Sequence, residues 1–344
     1  MKMNTISIDL AKLIFQLLGI NPDGKQAFSK RLNRQKFIEF MAQQPPSRVV
    51  MEPCLSSHYW GRTFSQMGHH VFLIPAQHVT PFVRGNKNDK NDCMAIYEAS
   101  QRPNIRFIPI KTMNQQGILT LHRQRERLIG ARTAGVNQTR SLLLEFGVII
   151  SAKYKKFNSE LQDLLDNEAI PPVFRMTLND LIDELKSFKV RIAHIESLIK
   201  QDNNQSSVAT ILSSLPGVGM IISSAFSACI DKGQAFNSAD DLAVWQGLTP
   251  KQYASGNTSR LGRITKRGDC YLRKQLIHGA RTVVMHAHKK KDDINLWITA
   301  LKVRRGVNKT VVATARRLAR LMWILLQKGS LYQPQFTQGK NYEA

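Results

Sequence analysis

The chain has 344 residues, with 49 Lys+Arg against 25 Asp+Glu, a formal net charge of +24 and 42% hydrophobic residues. That length predicts about two domains with real cores, and the cationic excess is the footprint of a polyanion partner, nucleic acid ahead of a membrane surface. No apolar run reaches the roughly 18–20 residues that span a bilayer. Asp9 interrupts the apolar start, which therefore does not read as a secretory leader. The four cysteines (Cys54, Cys93, Cys229, Cys270) have no C-x-x-C spacing, which excludes a zinc knuckle and a disulfide framework and points to a reducing cytoplasm.

Residues 4–9 (NTISID) are rich in β-branched residues, alternate in polarity and end on Asp9; residues 13–20 and 25–32 read as two more strands around the turn signal Asn21-Pro22-Asp23-Gly24. Residues 34–43 have helical periodicity, with Phe37, Phe40 and Met41 on one face. A buried strand over 48–52 ends on Glu52, a helix over 56–67 turns Tyr59, Trp60 and Phe64 inward, and a strand over 70–74 stops at Pro75. The order β-β-β-α-β-α-β-α describes an RNase H-like mixed sheet.

The stretch Lys87-Asn88-Asp89-Lys90-Asn91-Asp92 then opens a helix and places two carboxylates three residues apart, on one helix face. Asp at a helix start can simply cap orphan N–H groups. It can also be half of a metal site, because Asp9 and Glu52 fall at the carboxyl ends of strands, where open α/β sheets hold their ligands. Hard oxygen ligands of this kind suit Mg²⁺ or Mn²⁺, and two such ions stabilise the attacking and leaving oxygens of a phosphoryl displacement. Lys87 and Lys90 interleave the acids and are candidates for contacts to the same phosphate backbone.

From residue 112 the character becomes helical. Residues 112–146 carry His122, Arg123, Arg125, Arg127, Arg132 and Arg140, either a solvated face or a phosphate-tracking or dimerisation arm. Residues 157–166 and 172–200 read as further helices, the second with apolar residues at coiled-coil-like spacing, and residues 202–207 read as a linker. L-P-G-V-G at 215–219 resembles a helix-hairpin-helix turn, or an ordinary packing loop. Asn237 or Ser238 caps a helix over 236–247.

Residues 247–276 hold seven Lys/Arg between Lys251 and Lys274 against one acid, and read as a basic loop or ribbon followed by a helix from about Cys270. Ser255, Thr258 and Ser259 are chemically equal as nucleophiles, and none is reactive unless placed and activated. His286 and His288 stand beside three lysines and read as a phosphate-facing surface rather than a metal site. Trp297 and Trp323 read as core anchors, 302–328 as a basic amphipathic helix after a glycine turn, and 330–344 as a disordered polar tail.

The blocks SIDLAK, MEPC and KNDKNDCMAI, followed by the thirty-odd residues from Gly247 to Arg281, resemble the DEDD transposases of bacterial insertion sequences, the IS110 family and in particular its IS1111 group. The family patterns are G-I-D-x-x-K, E-x-x and K-T-D-x-x-D-A; here Ser7, Asn88 and Cys93 replace Gly, Thr and Ala, and every carboxylate is kept. The resemblance implies a RuvC-like catalytic domain over 1–111, a helical coiled-coil region over 112–201, a C-terminal transposase domain over 202–330 and a polar tail over 331–344. It carries the four acids to Asp9, Glu52, Asp89 and Asp92, as both catalytic residues and ligands of Mg²⁺, and the nucleophile to Ser255. The nucleic-acid contacts are Lys87, Lys90, Arg260, Arg263, Lys266, Arg267 and Arg273.

The resemblance also implies strand cleavage and rejoining through a serine–DNA phosphoester, double-stranded DNA of element ends and target as substrate, a structured guide RNA and a homodimer pairing into a homotetramer. The setting is a bacterial cytoplasm, at the nucleoid. Two other readings stay open: a RuvC-like nuclease in which water attacks, and a non-catalytic architectural DNA-binding protein.

Overall fold

The computed structural model describes residues 4–85, 88–151, 154–167 and 170–335, and the chain divides into two compact units, Met1–Gln115 and Gln116–Ala344. Among the described residues no helix is long and apolar enough to cross a membrane.

The first unit is a mixed α/β layer. Its elements are β1 (Thr5–Asp9), β2 (Ile14–Ile20), β3 (Gln26–Asn33), α1 (Arg34–Ala42), β4 (Arg48–Met51), α2 (Ser57–Gln66), β5 (His70–Leu73), the single turn α3 (Ala76–Val79) and α4 (Asp89–Ser100). The sheet runs β3-β2-β1-β4-β5. β1 and β2 pair antiparallel, as do β2 and β3; β4 is parallel to both β1 and β5. The order of elements along the chain and the mixed sheet are those that the alternation and turn signals of the first seventy residues predict.

Alternation assigns the faces. Ile6, Ile8, Val49 and Met51 join Phe15, Phe37, Trp60 and Phe64 in one core under α1 and α2. There Phe15 stacks on Phe37 at 4.4 Å and meets Trp60 edge-on at 5.2 Å. Val50 faces the other way, onto Ala95, Ile96 and Ala99 of α4, and Leu18 and Ile20 meet Cys93 of the same helix. One inward residue of the sequence reading turns outward: Tyr59 is exposed, and the Arg34 guanidinium lies over it and over Trp60.

The second unit is mostly helical. α5 (Met113–Leu144), α6 (Tyr154–Asp163) and α7 (Pro172–Gln205) share one core. The buried positions of α7, Leu178, Ile182, Leu185, Phe188, Ile192, Ile195 and Ile199, step by threes and fours along a single seam. α5 runs antiparallel to α7: Arg125 reaches Glu196, Gly135 lies by Leu185, and Phe146 stacks on Phe174 beyond the end of α5.

A separate core gathers α8 (Ser207–Ser213), α9 (Met220–Ile230), α10 (Ala239–Trp245), α11 (Cys270–His286), α12 (Asp293–Arg305) and α13 (Val307–Lys328). Leu215 and Val218 of the L-P-G-V-G turn are buried in it. Trp323 anchors it by donating to the carbonyls of Gly233 and Phe236, at 3.2 and 3.3 Å. The basic segment 302–328 is divided by Gly306 between two helices. The start of the tail corrects the expectation of disorder: Tyr332 N–H donates to Ser214 Oγ at 2.9 Å, and the Gln335 carbonyl accepts from Asp293 N–H at 2.9 Å. Residues 336–344 lie outside the described residues.

Candidate functional site

Asp9 is the last residue of β1, and Glu52 follows the last residue of β4. The parallel ladder ends on the pair Ile8–Met51, and Asp9 and Glu52 each follow directly after it on neighbouring strands, whose spacing is about 4.8 Å. Alternation turns both toward the α4 face, because Ile8 and Met51 face the opposite core. Both are half-buried and both engage neighbouring groups.

α4 brings the other pair. Its buried residues Cys93, Ile96 and Ala99 form an inward stripe, and Asp89 and Asp92 extend that stripe to the first turn. The capping question is answered by a neighbour: Asn88, with φ −154° and ψ 155°, accepts from Asn91 N–H at 2.9 Å and is the N-cap. The two carboxylates are therefore free of that task, though the helix dipole still favours them there.

The Cys93 thiol ties α4 to β2. It donates to the Gln16 carbonyl at 3.2 Å. Burial pushes it far above its usual range; the backbone at Asp9 opposes this, and the charges of Asp9, Asp92 and Asp89 add to it. Three carboxylates from a strand end and a helix start thus act on one buried thiol. In donor chemistry this set suits a hard divalent cation. Among the described residues, however, no three His, Cys, Asp or Glu side chains are close enough to hold an ion. Lys90 is exposed in the first turn of α4; Lys87 lies outside the described residues.

Ser255 sits on a different kind of structure. The basic segment forms a two-stranded ribbon, β6 (Pro250–Ser255) and β7 (Thr258–Ile264), closed by Gly256-Asn257. Gly256 has φ +54° while Asn257 keeps a negative φ, the pattern of a type II′ turn, which wants glycine first. Ser255 pairs with Thr258 and Tyr253 with Arg260, so these four share one face; Ala254 and Ser259 share the other. Ser255 is exposed, and the side chains on its face include no carboxylate or imidazole that could serve as its base.

The ribbon's tip is open but its root is fixed. Thr265 N–H donates to the Thr249 carbonyl at 2.9 Å and Lys266 N–H to the Gly247 carbonyl at 3.1 Å. Gly268, at φ +83°, approaches the backbone of Trp245 so closely that a Cβ would lie 1.8 Å from that carbonyl oxygen. Arg273, half-buried at the start of α11, donates to the carbonyls of Gln246 and Arg267 at 3.2 and 3.1 Å and so ties both sides of the root together. Arg260, Arg263, Lys266 and Arg267 are exposed.

Two cations of α5 are not where the sequence reading put them. His122 is buried, with Nδ1 3.0 Å from the Tyr271 hydroxyl and Nε2 3.1 Å from Ser224 Oγ. Burial, with the nearby Arg125 charge, pushes its pKa down to about 4, so it is neutral near pH 7. Burial likewise pushes Tyr271 up to about 12. Arg125 is committed to Glu196, its Nε 2.7 Å from the carboxylate. The signal was available: Ile118, His122, Leu128, Val136 and Thr139 fall on one helical stripe.

A model of the DEDD transposase domain of IS110 elements matches residues 6–147, and one described as "Transposase IS116/IS110/IS902 family" matches residues 209–294. The chain is 38% identical to a probable family 20 transposase of Pseudomonas aeruginosa, over 97% of this chain and 100% of that protein. It is 38% identical to the transposase of insertion sequence element IS1111A of Coxiella burnetii, over 95% and 91%. With the transposase of IS1328 of Yersinia enterocolitica it shares 33% identity, over 95% and 98%.

Proposed function

The chain belongs to the IS116/IS110/IS902 family of transposases, and from that premise we propose that it cuts and rejoins DNA with a divided machinery: four carboxylates that prepare a phosphodiester and a serine that attacks it. That it is a DNA transposase follows from the family; the division of labour is our reading. The observation that carries it is the placement of Asp9 and Glu52 at the ends of two adjacent parallel strands, with Asp89 and Asp92 on the inward stripe of α4 and the capping task left to Asn88. The strand order supports an RNase H-like domain, whose site lies at these strand ends.

Asp9, Glu52, Asp89 and Asp92 would hold the divalent metal, Mg²⁺ in our reading with Mn²⁺ as a substitute, and the family's DEDD domain supports metal dependence in general. When bound, the metal supplies charge stabilisation to the phosphate oxygens and lowers the pKa of a coordinated hydroxyl. Ser255 presents Oγ from the open end of a ribbon whose root does not yield. Its Oγ–H bond breaks as Oγ bonds to phosphorus, one bridging P–O bond breaks, and the leaving strand departs as a hydroxyl that takes the proton. One phosphodiester replaces another, so little free energy is lost. Rejoining is the reverse attack by the hydroxyl of an incoming strand, which restores the serine. Lys90 and the exposed cations of the ribbon would hold flanking phosphates, a salt-sensitive term. The guide RNA and the dimer-to-tetramer assembly belong to the same proposal, compatible with the charge of +24.

The test is cleavage of element-end DNA in Mg²⁺ by the wild type, by Asp89→Asn with Asp92→Asn, and by Ser255→Ala, each checked for DNA binding. The proposal expects binding by all three and cleavage by the wild type alone. Full cleavage by the double acid variant would remove the acid site. The lack of a base on the Ser255 face favours one rival, attack by water as in a nuclease; nicked DNA with free ends from Ser255→Ala would establish it.

A further inference from the structure

α13 carries a cationic stripe that the cleavage machinery does not use. Lys309, Ala313, Arg316, Arg317 and Arg320 recur at three- and four-residue steps, so they share one face of the helix. That face lies on the other side of the helix from the buried stripe Val311, Ala315, Leu318 and Met322, which holds the helix in place. Opposite stands Trp297 of α12. Trp297, Ala313, Arg316, Arg317 and Arg320 line an open cleft of about 430 Å³.

The cleft is preorganised and underneutralised. The Arg317 guanidinium lies 4.7 Å from the centre of the Trp297 ring, which fixes its plane. Arg316 Nη2 and Arg320 Nε both reach the same oxygen of Asp240, at 3.2 and 3.3 Å. One carboxylate thus serves two guanidiniums and orients both, leaving three cations against one anion. Asp293 and Lys328 line an adjoining cavity on the other side of Arg317 and cancel each other in formal charge. Arg316 Nε is buried without a hydrogen-bond partner. Guanidiniums held by a shared carboxylate keep donors aimed outward, and such forks match phosphate oxygens. An arginine flattened on an indole also offers a π-face on which a base can stack.

We propose that this cleft is a binding site for a nucleic-acid strand, with phosphates on Arg316 and Arg320 and a base stacked against the Arg317–Trp297 pair. DNA and RNA present the same chemistry here, and the experiment separates them. The inference rests on binding alone and stands or falls independently of the acid site and of Ser255.

The full chain is irradiated with single-stranded oligonucleotides carrying 4-thiothymidine (DNA) or 4-thiouridine (RNA), and the crosslinked peptides are mapped. The site requires crosslinks within residues 293–328 from at least one of the two, and the one that gives them identifies the strand. In parallel, fluorescence anisotropy over a salt series compares wild type with Arg316→Gln/Arg320→Gln and with a control on exposed α7 positions, Lys189→Gln/Arg191→Gln. Loss of two phosphate contacts lowers the log–log salt slope by about 1.4 for a single strand, and the control leaves it near the wild-type value. Crosslinks only outside 293–328, an equal slope change in the control, or displacement of the oligonucleotide by polyglutamate as readily as by unlabelled oligonucleotide would each overturn the proposal.

Discussion

The acid edge of the first unit and the serine ribbon of the second solve opposite problems. The acids are half-buried or at a helix start, and their places come from packing: two strand ends in register and a helix seated by Cys93, Ile96 and Ala99. Ser255 is exposed; its place comes from a two-residue turn and from a root stitched backbone to backbone. On the proposed reading, charge gathered for chemistry is held by a core, whereas an attacking group that must meet a large substrate is held out on a short lever. Substitutions at the two places should separate activity from stability in opposite ways.

At the acid edge the largest effect is chemical. Asp89→Asn with Asp92→Asn should lower cleavage on the order of 10³-fold, the scale of losing preorganised charge at a reaction centre. The same variant should leave the melting temperature unchanged or slightly raised, because like charges around Cys93 repel. A clear loss of stability would mean that the pair is structural.

At the ribbon the largest effect is on the root. Gly268→Ala forces a side chain against the Trp245 carbonyl at φ +83°, and should cost about 2–4 kcal/mol by thermal or denaturant unfolding. Ser255→Ala at the tip should stay within about 0.5 kcal/mol of wild type. Equal costs at root and tip would contradict the lever.

A pH effect lies outside both sites. His122 has a folded pKa of about 4, below the unfolded value of about 6.5, so the unfolded chain binds the extra proton first. Its contribution is complete above about pH 6.5 and is lost as pH falls toward 4, about 3 kcal/mol in all. Denaturant unfolding of wild type and His122→Gln over pH 4–7 should show a difference that shrinks as pH falls. A difference independent of pH would mean that the imidazole is not held neutral.

The smallest effect belongs to a single cation. Lys90→Ala should reduce the salt slope of DNA binding by about 1 without altering sequence preference. No change in slope would remove Lys90 from the phosphate contacts.

Much of this arrangement was legible in the chain. The strand order was, because TISID, RVVM and HVFL are short β-branched or apolar runs between strong turn signals, and the acids stand where those runs end. The identity of the cap was not, because Asn88 and Asp89 are both good caps and only the backbone at Asn88 decides between them. The ribbon was half-legible: its glycines and cations announced an exposed segment, while the register that sets Ser255 with Thr258 and apart from Ser259 depends on the two-residue turn falling at Gly256-Asn257. Arg273 reads as one more cation, and only the geometry shows its donors on two backbone carbonyls. Composition shows His122 and Arg125 only as two more basic residues of α5, and the helical stripe places both on its inner side.

The central claim is that Ser255 is the attacking group. Wild-type protein is incubated with element-end DNA and Mg²⁺, denatured, and digested with protease and nuclease, and the peptides are read by mass spectrometry. The account predicts a nucleotide phosphate on the peptide containing Ser255, at the side chain of Ser255 and not of Thr258 or Ser259, and its absence from Ser255→Ala. A nucleotide on another residue, or cleaved DNA with no adduct on any peptide, would contradict it.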